Sequence, residues 1–281
     1  MGAEPASRLI RVFRSAALRF SAEGTPFLAQ ALAFNVLFAA IPLLLVGVAL
    51  IAFVYGTDEG IARANEAIGL YAPQLQDLVA NNLDAVVRYK GLTGAIGLLT
   101  LAWSGKNVFQ GMAYALNRSL GVVRYRHFVW DVAVGLTLVP LVGVVLVVAT
   151  ALPVVITLIV QFARLESLRW APQIASYAGS LGLVFVTISL LYAYLPNRRP
   201  VNWQAVLVGA AVASLGYSLA QIAFAIYTTY AANAFRVYGA LSALFVLLLW
   251  LDLIGIVFLF GAHVSAAWER ETQSAELPLA S

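Results

Sequence analysis

The sequence predicts an all-α integral membrane protein: a bundle of six transmembrane helices with amphipathic interfacial helices and both termini cytoplasmic. Three observations lead there. The first is composition. Of 281 residues, 62% are hydrophobic and only 11% charged, with a mean hydropathy of +0.88, whereas a soluble domain carries about 25% charged residues. The second is a set of six apolar stretches near the length that spans a bilayer, about 20 residues. They cover 27–54, 91–103, 130–160, 174–195, 203–230 and 240–267. The third is the distribution of Lys and Arg. With the N-terminus inside, Arg8, Arg11, Arg14, Arg19, Lys106, Arg118, Arg124, Arg126, Arg198, Arg199 and Arg270 fall on the cytoplasmic side. Arg63, Arg88, Lys90, Arg164, Arg169 and Arg236 fall outside, so eleven face six. That excess is the positive-inside signature.

Taken in order, residues 1–26 hold a basic amphipathic helix. Leu9, Phe13, Ala16, Ala17 and Phe20 share one face and Arg8, Arg11, Arg14 and Arg19 the other. Such a helix is expected to lie in the interface, its arginines on anionic headgroups. No uninterrupted apolar core precedes a cleavage site, so a removable signal peptide is not expected. The membrane domain is expected over 27–268. Within it, 56–90 reads as an external cap, with five acidic and three basic residues divided by Pro73. The second span, GLTGAIGLLTLAW, is short. The following NVFQGMAYALNRSL is expected either to lie on the cytoplasmic surface as an interfacial helix over 104–122 or to complete that span. Arg118, Arg124 and Arg126 there join Arg8, Arg11 and Arg14 as headgroup candidates. Residues 269–281 form a cytoplasmic tail. Trp103, Trp130, Trp170, Trp203 and Trp268 fall at or near span ends, where indoles favour the headgroup layer.

Inside the spans, Gly209, Ala213, Gly216 and Ala220 form one stripe and Ala178 and Gly182 a shorter one, suited to close helix packing. Pro42, Pro140 and Pro153 interrupt spans one and three. They read as kinks or as the broken helices around which transporters build midplane sites. Asp252 stands in LLLWLDLIGIVFLFGAH, about 18 Å into span six at 1.5 Å per residue. A charge at that depth costs at least about 2.5–3.5 kcal/mol. Asn35 and Gln221 are the polar residues able to hydrogen-bond it. His263 lies on nearly the same face about 16 Å further along. These four are the candidates for a proton or substrate path. The alternative is a protonated Asp252 acting as interhelical glue, with His263 an ordinary interfacial residue.

Four stretches resemble the YihY/BrkB family of bacterial inner-membrane proteins, in order and over almost the whole chain. They are ALAFNVLFAAIPLLL in span one, WSGKNVFQGMAYALNRSLGV with Trp103 and Asn117-Arg118, YLPNRRPVNWQAVLVGA, and YGALSALFVLLLWLDLIGIVFLFGAHVSAAWER with Tyr238-Gly239 and Gly261-Ala262. Two positions depart from the family pattern. Its closing helix usually reads Gly-Ala-Glu where this chain has His263, and Asp252 stands where an aromatic or small polar residue is usual. The resemblance implies a role in envelope integrity, with lipid or lipopolysaccharide traffic and serum resistance linked to some members.

The family has also carried a ribonuclease label, but the residues do not support an enzyme. The thirteen acids are scattered and the two histidines stand far apart, where metal-assisted hydrolysis needs clustered ligands. There is no HExxH, no GxSxG and no cysteine. No cofactor, metal or nucleic-acid partner is expected; the basic balance is a topology signal. Two functions remain. One is a transporter or flippase-like carrier of a lipid or amphiphile, proton-linked through Asp252. The other is a non-transporting scaffold organising envelope lipids or protein partners. Anionic membrane lipids are the expected partners of either, with an unidentified small or lipidic substrate for the first. A homo-oligomer stays open, since six spans enclose a path more readily as a dimer.

Overall fold

In the computed structural model the described residues are 5–56, 90–122, 171–197, 201–235 and 241–276, with 59, 62, 133, 137, 155, 156, 158–160 and 162. Six long helices run through them: α1 Pro5–Ala22, α2 Thr25–Tyr55, α3 Lys90–Ser119, α4 Ala171–Tyr194, α5 Trp203–Phe235 and α6 Leu241–Glu276. No strand occurs among the described residues. Three helices carry segments long and apolar enough to cross a membrane: Tyr177–Tyr194, Trp203–Ala231 and Leu244–Ser274; Thr25–Ala39 is a shorter apolar segment. The all-helical membrane class is thus as the composition predicts. The expected third span, with Pro140 and Pro153, lies almost entirely outside the described residues, as does most of the expected cap.

Helix ends follow local chemistry. Gly24, at φ 67°, takes a left-handed conformation that a residue with a Cβ disfavours. It ends α1 while its carbonyl already accepts the Phe27 N–H at 3.1 Å. Pro26 then sits in the first turn of α2, where its missing N–H costs nothing. α2 runs unbroken through Pro42, which leaves the Phe38 carbonyl without its usual helical donor. α3 joins the expected second span and the expected interfacial helix into one rod of 30 residues. Nothing stops it before Gly121, at φ 69°. There the Val122 N–H returns to the Asn117 carbonyl at 2.8 Å and the Gly121 N–H to the Arg118 carbonyl at 3.1 Å, a Schellman closure. Asn202 opens α5 by accepting the Ala205 N–H on its side-chain oxygen at 3.2 Å, the usual N-cap device.

The chain divides into two compact units. The first comprises Met1–Ala29, Phe109–Ile226 and Leu253–Ser281; the second comprises Gln30–Val108 and Tyr227–Asp252. In the first unit, α5 and α6 meet along the small-residue stripe of α5. A Cβ added to Gly209 would lie 2.6 Å from the Gly261 carbonyl oxygen and 2.6 Å from Ser265 Cβ, and one on Gly216 would lie 2.9 Å from Val257 Cγ1. Backbone approach this close requires glycine. The shorter stripe of α4 makes no such contact among the described residues: Ala178 is exposed and none of them lies within 4 Å of a Cβ on Gly182. On the other side of α6, Gly255 faces Ala29 of α2, with 3.1 Å from an added Cβ to the Ala29 oxygen.

α1 docks on this pair through Val12 and Ala16, which cluster with Val264 and Ala267 and are flanked by Val208, Val212, Phe260 and Trp268. Phe13 and Phe20 both reach the Phe260 ring, at centroid distances of 6.4 and 5.8 Å. The helix expected to lie free in the interface therefore has a protein-facing stripe. Amphipathic periodicity alone does not distinguish a lipid surface from a protein one. In the second unit, Phe34 and Phe38 of α2 stack at 4.8 Å, and Lys106 covers the Trp103 ring at 4.6 Å, a cation–π contact.

Candidate functional site

The polar candidates separate into two places. Asp252 lies in the second unit and His263, eleven residues on, in the first. Asp252 is half-buried, and its Oδ1 is buried without a hydrogen-bond partner among the described residues. Asn35 is half-buried in α2. Gln221 is exposed on α5, and its amide donates to the Tyr217 hydroxyl one turn away at 3.3 Å. Pro42 is buried within α2. Among the described residues Asp252 Oδ1 receives no hydrogen bond from Asn35, and Gln221 bonds within its own helix.

His263 is instead the centre of a buried polar cluster. It is 0% exposed, and its Nε2 lies 2.8 Å from the hydroxyl of Thr25, itself buried at the first turn of α2. The Phe20 ring meets the imidazole edge-on at 5.7 Å. The turn at Gly24 is what brings α1, Thr25 and α6 together here. One turn towards the N-terminus of α6, the buried Tyr192 hydroxyl donates to the Phe258 carbonyl, tying α4 to α6 beside Gly261. Sequence reading placed His263 on a path but missed Thr25 and Tyr192. The Thr-Pro pair after Gly24 was the available signal for Thr25; nothing in the sequence pairs Tyr192 with Phe258.

The arginine candidates also divide. Arg8 lies 4.3 Å over the Trp268 ring and donates to the Thr272 hydroxyl at 2.7 Å. Arg11 Nε is 2.7 Å from Glu271 Oε1. Both are thus engaged with the end of α6. Arg14 is exposed with no ion pair among the described residues, and Arg118 is exposed and donates to the Tyr114 hydroxyl on its own helix at 3.4 Å. Arg124 and Arg126 lie outside the described residues. Arg11, Arg14, Ser15, Leu18 and Arg19 line a shallow groove of about 370 Å³ along α1.

Two of the stretches that carried the sequence resemblance meet in the first unit. Asn117, 3% exposed, accepts the Asn197 N–H on its Oδ1 at 2.8 Å, joining the NRSLG turn to the LPN turn. Losing that acceptor strands a partly buried donor, at a cost of about 1–3 kcal/mol. Asn117→Ala is therefore expected to lower the unfolding midpoint in detergent and to speed proteolysis near 195–202. Cleavage as slow as in the unaltered chain would show that the bond does not hold this turn.

Apolar helices of spanning length, a small-residue seam and a buried polar cluster behind a basic helix define an α-helical membrane protein. Residues 16–280 match the model of the family described as virulence factor BrkB, and the chain belongs to that family. Its relatives include a UPF0761 membrane protein of Mannheimia succiniciproducens, 26% identical over 85% of this chain and 82% of that one. Another, from Paraburkholderia xenovorans, is 29% identical over 92% of this chain and 60% of its own length. A third, from Vibrio cholerae, is 37% identical over 37% of this chain and 32% of its own. No solved structure matches.

Proposed function

We propose that this protein is a six-span protein of the bacterial inner membrane, with both ends in the cytoplasm, that carries a lipid or other amphiphile across the bilayer. In this reading the carrier serves envelope integrity, is proton-linked through Asp252 and performs no catalytic chemistry. One observation carries it: an apolar helix places a carboxylate oxygen out of water with no hydrogen-bond partner among the described residues. A group purely for gluing helices is expected to be satisfied, because an unpaired buried acceptor is costly. An ionisable group within a span is more simply explained as part of a path for a proton or substrate.

The test is Asp252→Asn in proteoliposomes carrying a fluorescent phospholipid and a pH gradient. Insertion and expression are expected to be unchanged, and the pH-dependent part of the lipid movement to be abolished. Retention of that movement at the original rate would refute the proton link. The docking of Arg8 and Arg11 onto the end of α6 favours a second reading, a non-transporting scaffold. In that case Asp252→Asn is mild, and replacing Arg8, Arg11 and Arg14 with Gln is severe.

A further inference from the structure

We propose that the polar flank of α1, with Arg270 of α6 adding to the positive charge at Arg19, binds the phosphate of an anionic lipid headgroup. Arg11, Arg14, Ser15, Leu18 and Arg19 recur at steps of three and four, so they form one stripe, and they line one groove. This stripe runs beside the one, Val12 and Ala16, that seats α1 on α6. Its charges are not equally committed. Arg11 is held at 2.7 Å by Glu271. Arg19 is 3.7 Å from Glu23 with its side chain half-exposed, a distance too long for a hydrogen-bonded pair. Arg14 has no ion pair among the described residues.

A donor in need of an acceptor lies on α6. Arg270 Nη2 is buried with no hydrogen-bond partner among the described residues. The charges of Arg19 and Arg270 act on each other and on His263. Glu23 and Glu269 offset part of that positive field. Neither supplies the missing bond to Arg270 Nη2, and Glu23 Oε2 is itself buried and without a hydrogen-bond partner among the described residues. Like charges held together in partial burial are unfavourable. Phosphate, with several acceptor oxygens matched to guanidinium forks, relieves both problems at once.

The source of that phosphate is a lipid rather than the free ion. Leu18 is 63% exposed within the stripe and Ile10 is 68% exposed on the same helix. They give acyl carbons somewhere to lie and give inorganic phosphate nothing. This assignment does not depend on Asp252 or on transport, and it adds Arg270 of α6 to the α1 arginines already expected at headgroups.

The experiment is thermal unfolding of the full chain in neutral detergent, doped with phosphatidylglycerol, with phosphatidylcholine, or with an equal concentration of inorganic phosphate. Phosphatidylglycerol is expected to raise the midpoint and the other two to leave it in place. Arg14→Gln with Arg19→Gln is expected to lose more than half of that rise, as is Arg270→Gln, while Arg14→Lys with Arg19→Lys keeps most of it. An equal rise with phosphatidylcholine or with inorganic phosphate would overturn the proposal. So would a full rise in the exposed-site variant R14Q/R19Q, which does not disturb the core.

Discussion

Gly261→Ala is expected to unseat α6 from α5 and to be among the most damaging single-methyl additions in the chain. The new Cβ would stand 2.7 Å from Ala213 Cβ, 2.7 Å from the Gly209 carbonyl oxygen and 2.7 Å from the Tyr192 hydroxyl. Two of these neighbours are backbone or the stub of a short side chain, so no rotamer change relieves the clash. The helices must part, and the Tyr192 bond to the Phe258 carbonyl is strained with them. Overpacking of this kind costs about 1–3 kcal/mol or more. Gly209→Ala attacks the same contact from α5, so the double variant should cost less than the sum of the singles. Gly182→Ala is the contrast, because its Cβ meets nothing within 4 Å among the described residues; there the loss of unfolded-state freedom should stabilise by about 0.4–1 kcal/mol. Unfolding midpoints in detergent decide it. A Gly261→Ala protein as stable as the original would mean that the seam is not packed this tightly.

Removing the imidazole at 263 is the second large effect. His263→Ala opens a cavity under Phe20 and leaves the buried Thr25 hydroxyl without its partner. Deleting a buried aromatic side chain costs about 3–5 kcal/mol, and the stranded hydroxyl is part of why the upper half of that range is expected here. His263→Gln keeps a polar atom able to reach Thr25 and should recover much of the loss. Thr25→Val removes only the hydroxyl and is expected to cost about 1–3 kcal/mol. In a double-mutant cycle, Thr25→Val should add little to His263→Ala. Additive losses would show that the two side chains act separately.

Much of the fold was legible because lipid imposes simple rules. Backbone groups in hydrocarbon must be satisfied within the segment, so long apolar runs read directly as helices. Runs 174–195, 203–230 and 240–267 correspond to α4, α5 and α6. The stripe Gly209 to Ala220 was legible for the same reason, as a spacing on one helix. Of the two expectations for 104–122, a separate interfacial helix or a continuation of the second span, the structure has the helix continuing without a break after Trp103. Hydropathy falls at that point, but helix propensity does not, and α3 continues until Gly121 permits the chain to turn.

The site was less legible because it depends on partners remote in sequence. Arg8 and Arg11 look like free interfacial cations in a linear reading; the structure sets them on Trp268, Thr272 and Glu271, some 260 residues away. His263 was noticed as an ionisable residue in an apolar run, but its bond to Thr25 spans 238 residues.

From composition, period and charge alone, the sequence determined the membrane as solvent, helix as the secondary structure and the small-residue face of α5. These are properties of a single segment facing its surroundings. Which side chains meet was decided only by the tertiary structure: Gly209 with Gly261, Thr25 with His263, Asn117 with Asn197. Such pairings depend on how separate helices are brought together by turns such as Gly24 and Gly121, and no periodicity within one helix encodes the identity of its neighbour.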